Sequence, residues 1–124
     1  NPDIMVEKGD RLIWCAGALA RDYAQLGGRT QIAGKPHRPI YDAALRHASE
    51  VLGRPVERSE VLAIGDGMLT DVKGASDQGF DVLYISAGIH AGEYGHPEMP
   101  DAARLDAFVA KHGYHVVATM PKLK

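Results

Sequence analysis

Two aspartates stand just past an apolar run, where Val61-Leu62-Ala63-Ile64 leads into Gly65-Asp66-Gly67-Met68-Leu69-Thr70-Asp71. One carboxylate follows the run almost at once, and the other falls in the first turn of the helix that comes next. Open α/β sheets bind ligands in the crevice beyond the carboxyl ends of their strands, which is where this loop must lie. The helix N-terminus favours the second anion, so the two carboxylates can converge near one point. One or two carboxylates, retained waters and a substrate phosphate are the usual way of holding Mg²⁺. Asp66 and Asp71 are therefore candidate metal ligands, against the plainer reading of an acidic turn that caps a helix. Gly65 and Gly67 allow close backbone approach on either side of Asp66.

Lys35 is the second chemical element. It lies between Gly34 and Pro36, directly after a short run read as a strand, so it too belongs at the carboxyl end of the sheet. An ammonium there can neutralise a phosphate or an attacking carboxylate; alone, such a lysine is an ordinary solvated side chain. His37, Gly67, Thr70 and His90 are the candidate substrate contacts. Their plainer readings are an exposed loop histidine, a turn glycine, a helix cap and a surface-loop histidine. His90, Glu93 and His96 match no zinc spacing. Gly65 and Gly67 begin a dinucleotide-type glycine pattern, but position 70 is Thr and the loop is acidic, so that reading fails. Gly34-Lys35 is followed by Pro and lacks the upstream glycine of a Walker loop.

These residues need a scaffold, and the pattern supplies one. A hairpin is expected from residues 4–6 and 12–14, and a helix over 16–26 that stops at Gly27-Gly28. A short strand is expected at 30–32, and a helix over 40–52 that ends at Gly53. A strand covered on both faces is expected at 61–64, then a helix over 69–78 and a second apolar strand at 82–85. A loop over 87–99, a helix from Pro100-Asp101 to Gly113 and a last strand at 115–119 complete the chain. Cys15 is read as a buried small hydrophobe, and Trp14 as core or cap-hinge packing rather than a ligand platform. Strands alternating with helices predict an α/β fold, a three-layer α/β/α arrangement with a short parallel sheet.

Composition narrows the partners. The 124 residues carry 14 basic and 16 acidic side chains, a formal charge of −2, and 45% are hydrophobic. That balance, without a block of either sign, argues against a nucleic-acid or membrane-surface binder. No apolar run is long enough for a membrane span and no signal pattern is present. The lone Cys15 excludes an intramolecular disulfide framework and points to a reducing, cytoplasmic setting. The chain starts Asn1-Pro2-Asp3 without Met, which reads as a processed or cut start.

Gly34-Lys35-Pro36 followed by Gly65-Asp66-x-x-x-Thr70-Asp71 resembles the third and fourth motifs of haloacid-dehalogenase-superfamily phosphatases. Asn1-Pro2-Asp3, the glycine-rich link and Lys35-Pro36 resemble the class IIA, NagD-like branch, in which a cap domain is inserted upstream. The resemblance implies a Mg²⁺-dependent phosphatase of small phosphorylated metabolites, working through an aspartyl-phosphate. Asp66 would ligate Mg²⁺ directly, Asp71 would support the metal shell directly or through water or the lysine, and Lys35 would stabilise the charge shared by nucleophile and phosphoryl group. The family's Asp-x-Asp nucleophile motif occurs nowhere in the chain. Residues 1–124 are therefore expected to be the C-terminal portion of a core of this kind, with about residues 1–14 returning from a missing cap. Such a chain is expected to be inactive alone, and to self-associate or pair with the missing N-terminal half. The alternatives are a non-catalytic binding or assembly module of the same fold, and one part of a split enzyme.

Overall fold

The computed structural model describes residues 2–123. Asn1, the first residue of the Asn-Pro-Asp motif, lies outside the described residues. The hairpin is present, with β1 (Met5–Lys8) pairing antiparallel to β2 (Arg11–Trp14) around Gly9, whose φ of +60° a side chain would resist. Both strands are exposed along their whole length. Trp14, expected in the core or in cap-hinge packing, is not in the core: it is 67% exposed, because little besides its own partner strand covers the ribbon, and Arg21 sits over its ring at 5.8 Å. Cys15 is half-buried rather than a core residue and forms the N-cap of α1 (Ala16–Gln25).

Residues 30–32 form no strand. Their side chains suit one, but a strand exists only by pairing, and no described strand lies beside them. Helix α2 (Arg38–Leu52) matches its apolar periodicity and ends at Gly53 in the left-handed conformation, φ +65°. Tyr41 and Leu45 are the residues it turns to the core, with the Tyr41 ring 5.9 Å from that of Phe80.

The central sheet is parallel, in the order β3 (Leu62–Gly65), β4 (Asp81–Ile85), β7 (Ala118–Met120). The last strand lies later than the 115–119 expected: Val117 donates one bond to the Val82 carbonyl at 2.9 Å, and paired residues begin at Ala118. On one face Ala63 pairs with the fully buried Val82, and Tyr84 follows two residues on. Met68, Val72, Ala75, Phe80, Tyr94 and Leu105 complete that core. The opposite face differs from expectation: Leu62 and Ile64 are 50% and 49% exposed, so the run at 61–64 is not covered on both faces. β3 is an edge strand, and among the described residues nothing pairs with its outer side.

The helix expected over 69–78 begins irregularly. Met68–Val72 is a π turn, in which the Val72 N–H reaches back to the Gly67 carbonyl at 3.1 Å, and only Lys73–Asp77 (α3) is α-helical. The 87–99 loop carries some structure of its own: a 3₁₀ turn at Ala91–Glu93 and a two-residue ribbon of β5 (Gly95–His96) and β6 (Met99–Pro100). Asp101 caps α4 (Ala102–His112) by accepting from the Arg104 N–H at 2.9 Å. No helix among the described residues is long and apolar enough to cross a membrane.

Candidate active site

Three segments meet at the carboxyl end of β3 and β4; backbone N–H groups and glycines place the two aspartates, and Asp71 in turn holds Lys35. Asp66 is the first residue beyond β3. Its Oδ2 accepts a hydrogen bond from the Ile89 N–H at 3.0 Å, across the turn that follows β4. A Cβ on Gly88 would lie 2.2 Å from both the Cβ and Oδ2 of Asp66, so this wall exists only because residue 88 is glycine. Oδ1 of the half-buried Asp66 accepts no hydrogen bond among the described residues.

Asp71 is placed by the π turn. The wider turn carries its carboxylate back over Gly65, where a Cβ would come within 2.3 Å of the Asp71 Cβ, and its Oδ2 accepts from the Gly67 N–H at 3.0 Å. Its other oxygen is bonded to the Lys35 ammonium. The carboxylate is 16% exposed and the lysine 56%. A pair this open to solvent contributes at most about 1 kcal/mol to stability; its main effect is to aim the Lys35 Nζ. The Lys35-Pro36 peptide is cis.

Asp66 and Asp71 thus flank Gly67 but take separate donors, and of the two only Asp66 has an oxygen with no donor among the described residues. Among the described residues no three His, Cys, Asp or Glu side chains gather around one point. A centre here would rest on one or two carboxylates, as suits Mg²⁺, which keeps most of its waters and takes further oxygens from a phosphate. The oxygen-only donor set and the unbonded Oδ1 of Asp66 fit that ion.

The other candidates are distributed around this point. Thr70 and Lys35, with Pro2, Asp3 and Gly34, line an open cleft of about 310 Å³. Thr70 is not the helix cap; Gly67 holds that position, and the Thr70 hydroxyl donates to its carbonyl at 3.5 Å. His90 accepts from the Met68 N–H through Nε2 at 3.3 Å and lies 5.3 Å from the Phe108 ring, so it braces the acidic loop. His37 is exposed at the N-cap of α2, with no side-chain capping bond.

Several contributors lie outside the motifs. The Ile89 N–H and Gly88 form the wall behind Asp66, and a glycine just past an apolar strand is the one sequence signal for them. The Tyr41 hydroxyl is buried, has no hydrogen-bond partner among the described residues, and occupies the space a Cβ on Gly74 would need, at 2.0 Å. Burial, then the negative charge of Asp71 and Asp77, pushes this phenol above its ordinary range. Beneath Asp66, Tyr84 and Tyr94 form a buried pair with hydroxyls 3.0 Å apart; burial is the main cause that raises both phenols, and the Asp66 charge adds to it.

Comparison with known proteins agrees with this arrangement. A family model described as HAD-hydrolase-like, that is haloacid-dehalogenase-like, matches residues 32–116. A haloacid dehalogenase-like hydrolase from Brucella suis 1330 is 57% identical over 100% of this chain, with a TM-score of 0.65, and the match covers 42% of that protein. A p-nitrophenyl phosphatase from Archaeoglobus fulgidus shares the fold at 22% identity and a TM-score of 0.61, over 97% of this chain and 41% of the other. A double mutant of a thermostable NPPase from Geobacillus stearothermophilus does so at 21% and 0.61, over 100% and 42%. The chain therefore spans about two-fifths of the length of the structures it matches. No curated protein sequence matches it significantly.

Proposed function

The chain belongs to the haloacid-dehalogenase-like hydrolase family, and from that premise we propose that it supplies the metal-binding and lysine-bearing part of a Mg²⁺-dependent phosphatase of small phosphate esters, in the NagD-like branch. The observation that carries this reading is Lys35 bonded to Asp71 beside a half-buried Asp66, all at the carboxyl end of a parallel sheet.

In this reading Asp66 would be the residue that holds Mg²⁺, with its Oδ2 fastened to the Ile89 N–H. When bound, the ion offsets phosphate negative charge that would otherwise repel an attacking carboxylate. Asp71 acts through Lys35: one oxygen is fixed by Gly67 and the other orients the ammonium toward the cleft. Lys35 places positive charge where nucleophile and phosphoryl group meet, a preorganised arrangement that needs no rearrangement during reaction. Thr70 lines the same cleft and presents its side chain to the ester. The 124 residues contain no Asp-x-Asp, so the attacking carboxylate and its general acid come from other residues. The open edge of β3 is the place for a strand from that segment.

The test is hydrolysis of p-nitrophenyl phosphate by the longest natural polypeptide that contains these residues, with and without Mg²⁺. Turnover is expected only with Mg²⁺, with a loss of about 10²-fold or more in Asp66→Asn and in Lys35→Met, and none from residues 1–124 alone. Metal-independent turnover, or turnover by the 124 residues alone, overturns the reading.

A further inference from the structure

The wall behind Asp66 is the turn that leaves β4, and what fixes that turn is buried. β4 ends at Ile85, so the Ser86 carbonyl has no place in the ladder, although Ser86 is only 1% exposed. A buried carbonyl left without a donor forfeits the hydrogen bond it had with water. Here the donor is the Tyr94 hydroxyl, 2.7 Å away, brought back from beyond the 3₁₀ turn. The proton order in this chain is determined. A carbonyl only accepts, so the Tyr94 proton points to Ser86, and the Tyr84 hydroxyl, 3.0 Å off, must donate to the Tyr94 oxygen. Both rings are completely buried, and Phe108 packs against Tyr94 at 5.5 Å, so neither hydroxyl has water as a substitute.

The backbone on either side of that carbonyl is tied in as well. The Ser86 and Ala87 N–H groups donate to the Met120 and Pro121 carbonyls at 2.9 and 3.0 Å, and the Ala91 N–H donates to the Gly88 carbonyl at 3.1 Å. Tyr94 therefore closes the one backbone group of residue 86 that the sheet leaves open, three residues before the N–H that grips Asp66. We propose that Tyr94 is a positioning residue for Asp66: its hydroxyl, through the Ser86 carbonyl, sets the direction of the Ile89 N–H and so the orientation of the carboxylate. This inference deepens the metal reading above and rests on it for its consequence.

The experiment compares wild type, Tyr94→Phe, Tyr84→Phe and Asp66→Asn in the longest natural polypeptide containing this sequence. Mn²⁺ binding is followed by the loss of the free-ion electron paramagnetic resonance signal, and the Ile89 amide by nuclear magnetic resonance. Tyr94→Phe is expected to weaken Mn²⁺ binding about tenfold or more, the usual effect of losing a group that orients a ligand. It is also expected to shift the Ile89 amide resonance and speed its hydrogen exchange. Tyr84→Phe removes a buried hydroxyl of the same kind but keeps the bond from Tyr94 to Ser86, so Mn²⁺ affinity and the Ile89 amide should stay within about twofold of wild type. Equal losses in the two phenylalanine variants would mean that both act only through stability, and would overturn the proposal. So would an unchanged Ile89 amide in Tyr94→Phe. If wild type and Asp66→Asn bind Mn²⁺ equally, the metal reading falls, while the Ile89 amide still reports whether Tyr94 sets this wall.

Discussion

Asp71 has both carboxylate oxygens engaged, one by the Gly67 N–H and one by Lys35, whereas Asp66 has one oxygen held and one without a donor among the described residues. Two residues of the same type in one loop are thereby given different tasks, through the donors each one meets. An amide oxygen at position 71 can still accept from Gly67, but it cannot carry the charge that holds the ammonium. Asp71→Asn is therefore expected to keep Mn²⁺ affinity within about threefold and to lower kcat by about 10²-fold, whereas Asp66→Asn loses both. Titration with Mn²⁺ beside steady-state kinetics separates the two outcomes; equal loss of metal affinity in both variants would make Asp71 a direct ligand. The candidate carboxylates and Lys35 are legible in the sequence because a strand-to-helix turn is local and its acidic spacing is read directly. Gly88, the Ile89 N–H and Tyr94 are not, because their roles arise where segments distant in the chain touch.

At the scale of elements, β4 is the strand on which most depends. It has neighbours on both sides, and its Tyr84 lies under Asp66 in the same buried layer as Tyr94. Burial raises the phenols of Tyr41, Tyr84 and Tyr94 above their ordinary value of 10.0. Below that pH both folded and unfolded chains keep them neutral, so their burial contributes fully to stability. Above it only the unfolded chain releases these protons, and stability falls as pH rises through the folded-state values. Alkaline titration should then show three phenols ionising together with the loss of far-ultraviolet circular dichroism; their ionisation in a still folded chain would contradict the packing. The elements themselves were largely legible. The hairpin, helices 16–25, 38–52 and 102–112 and the apolar strands β3 and β4 follow from periodicity and glycine stops. The expected strand at 30–32 fails because pairing is not a property of a segment alone. The π turn escapes notice because its register is set by Asp71 packing onto Gly65, a contact with no signature in hydropathy.

For the whole molecule, the consequential surface is the open side of β3. Leu62 and Ile64, each about half exposed, continue the face of an edge strand whose outer backbone groups have no described partner. Such an edge invites pairing with another strand. Residues 1–124 alone are expected to associate at micromolar concentration, and Ile64→Lys to reduce that association without lowering the melting temperature by more than a few degrees. Sedimentation velocity checks this, and a monomer that remains so on concentration would refute it. The bonds that define the site also join distant parts of the chain: Lys35 to Asp71 spans 36 residues and Asp66 to Ile89 spans 23. Helical bonds close over four residues, whereas these enclose loops whose closure entropy must be offset first. No fragment of the fold short enough to nucleate quickly contains the site, so a chain emerging during synthesis acquires its helices early and its chemistry only when cooperative folding is complete.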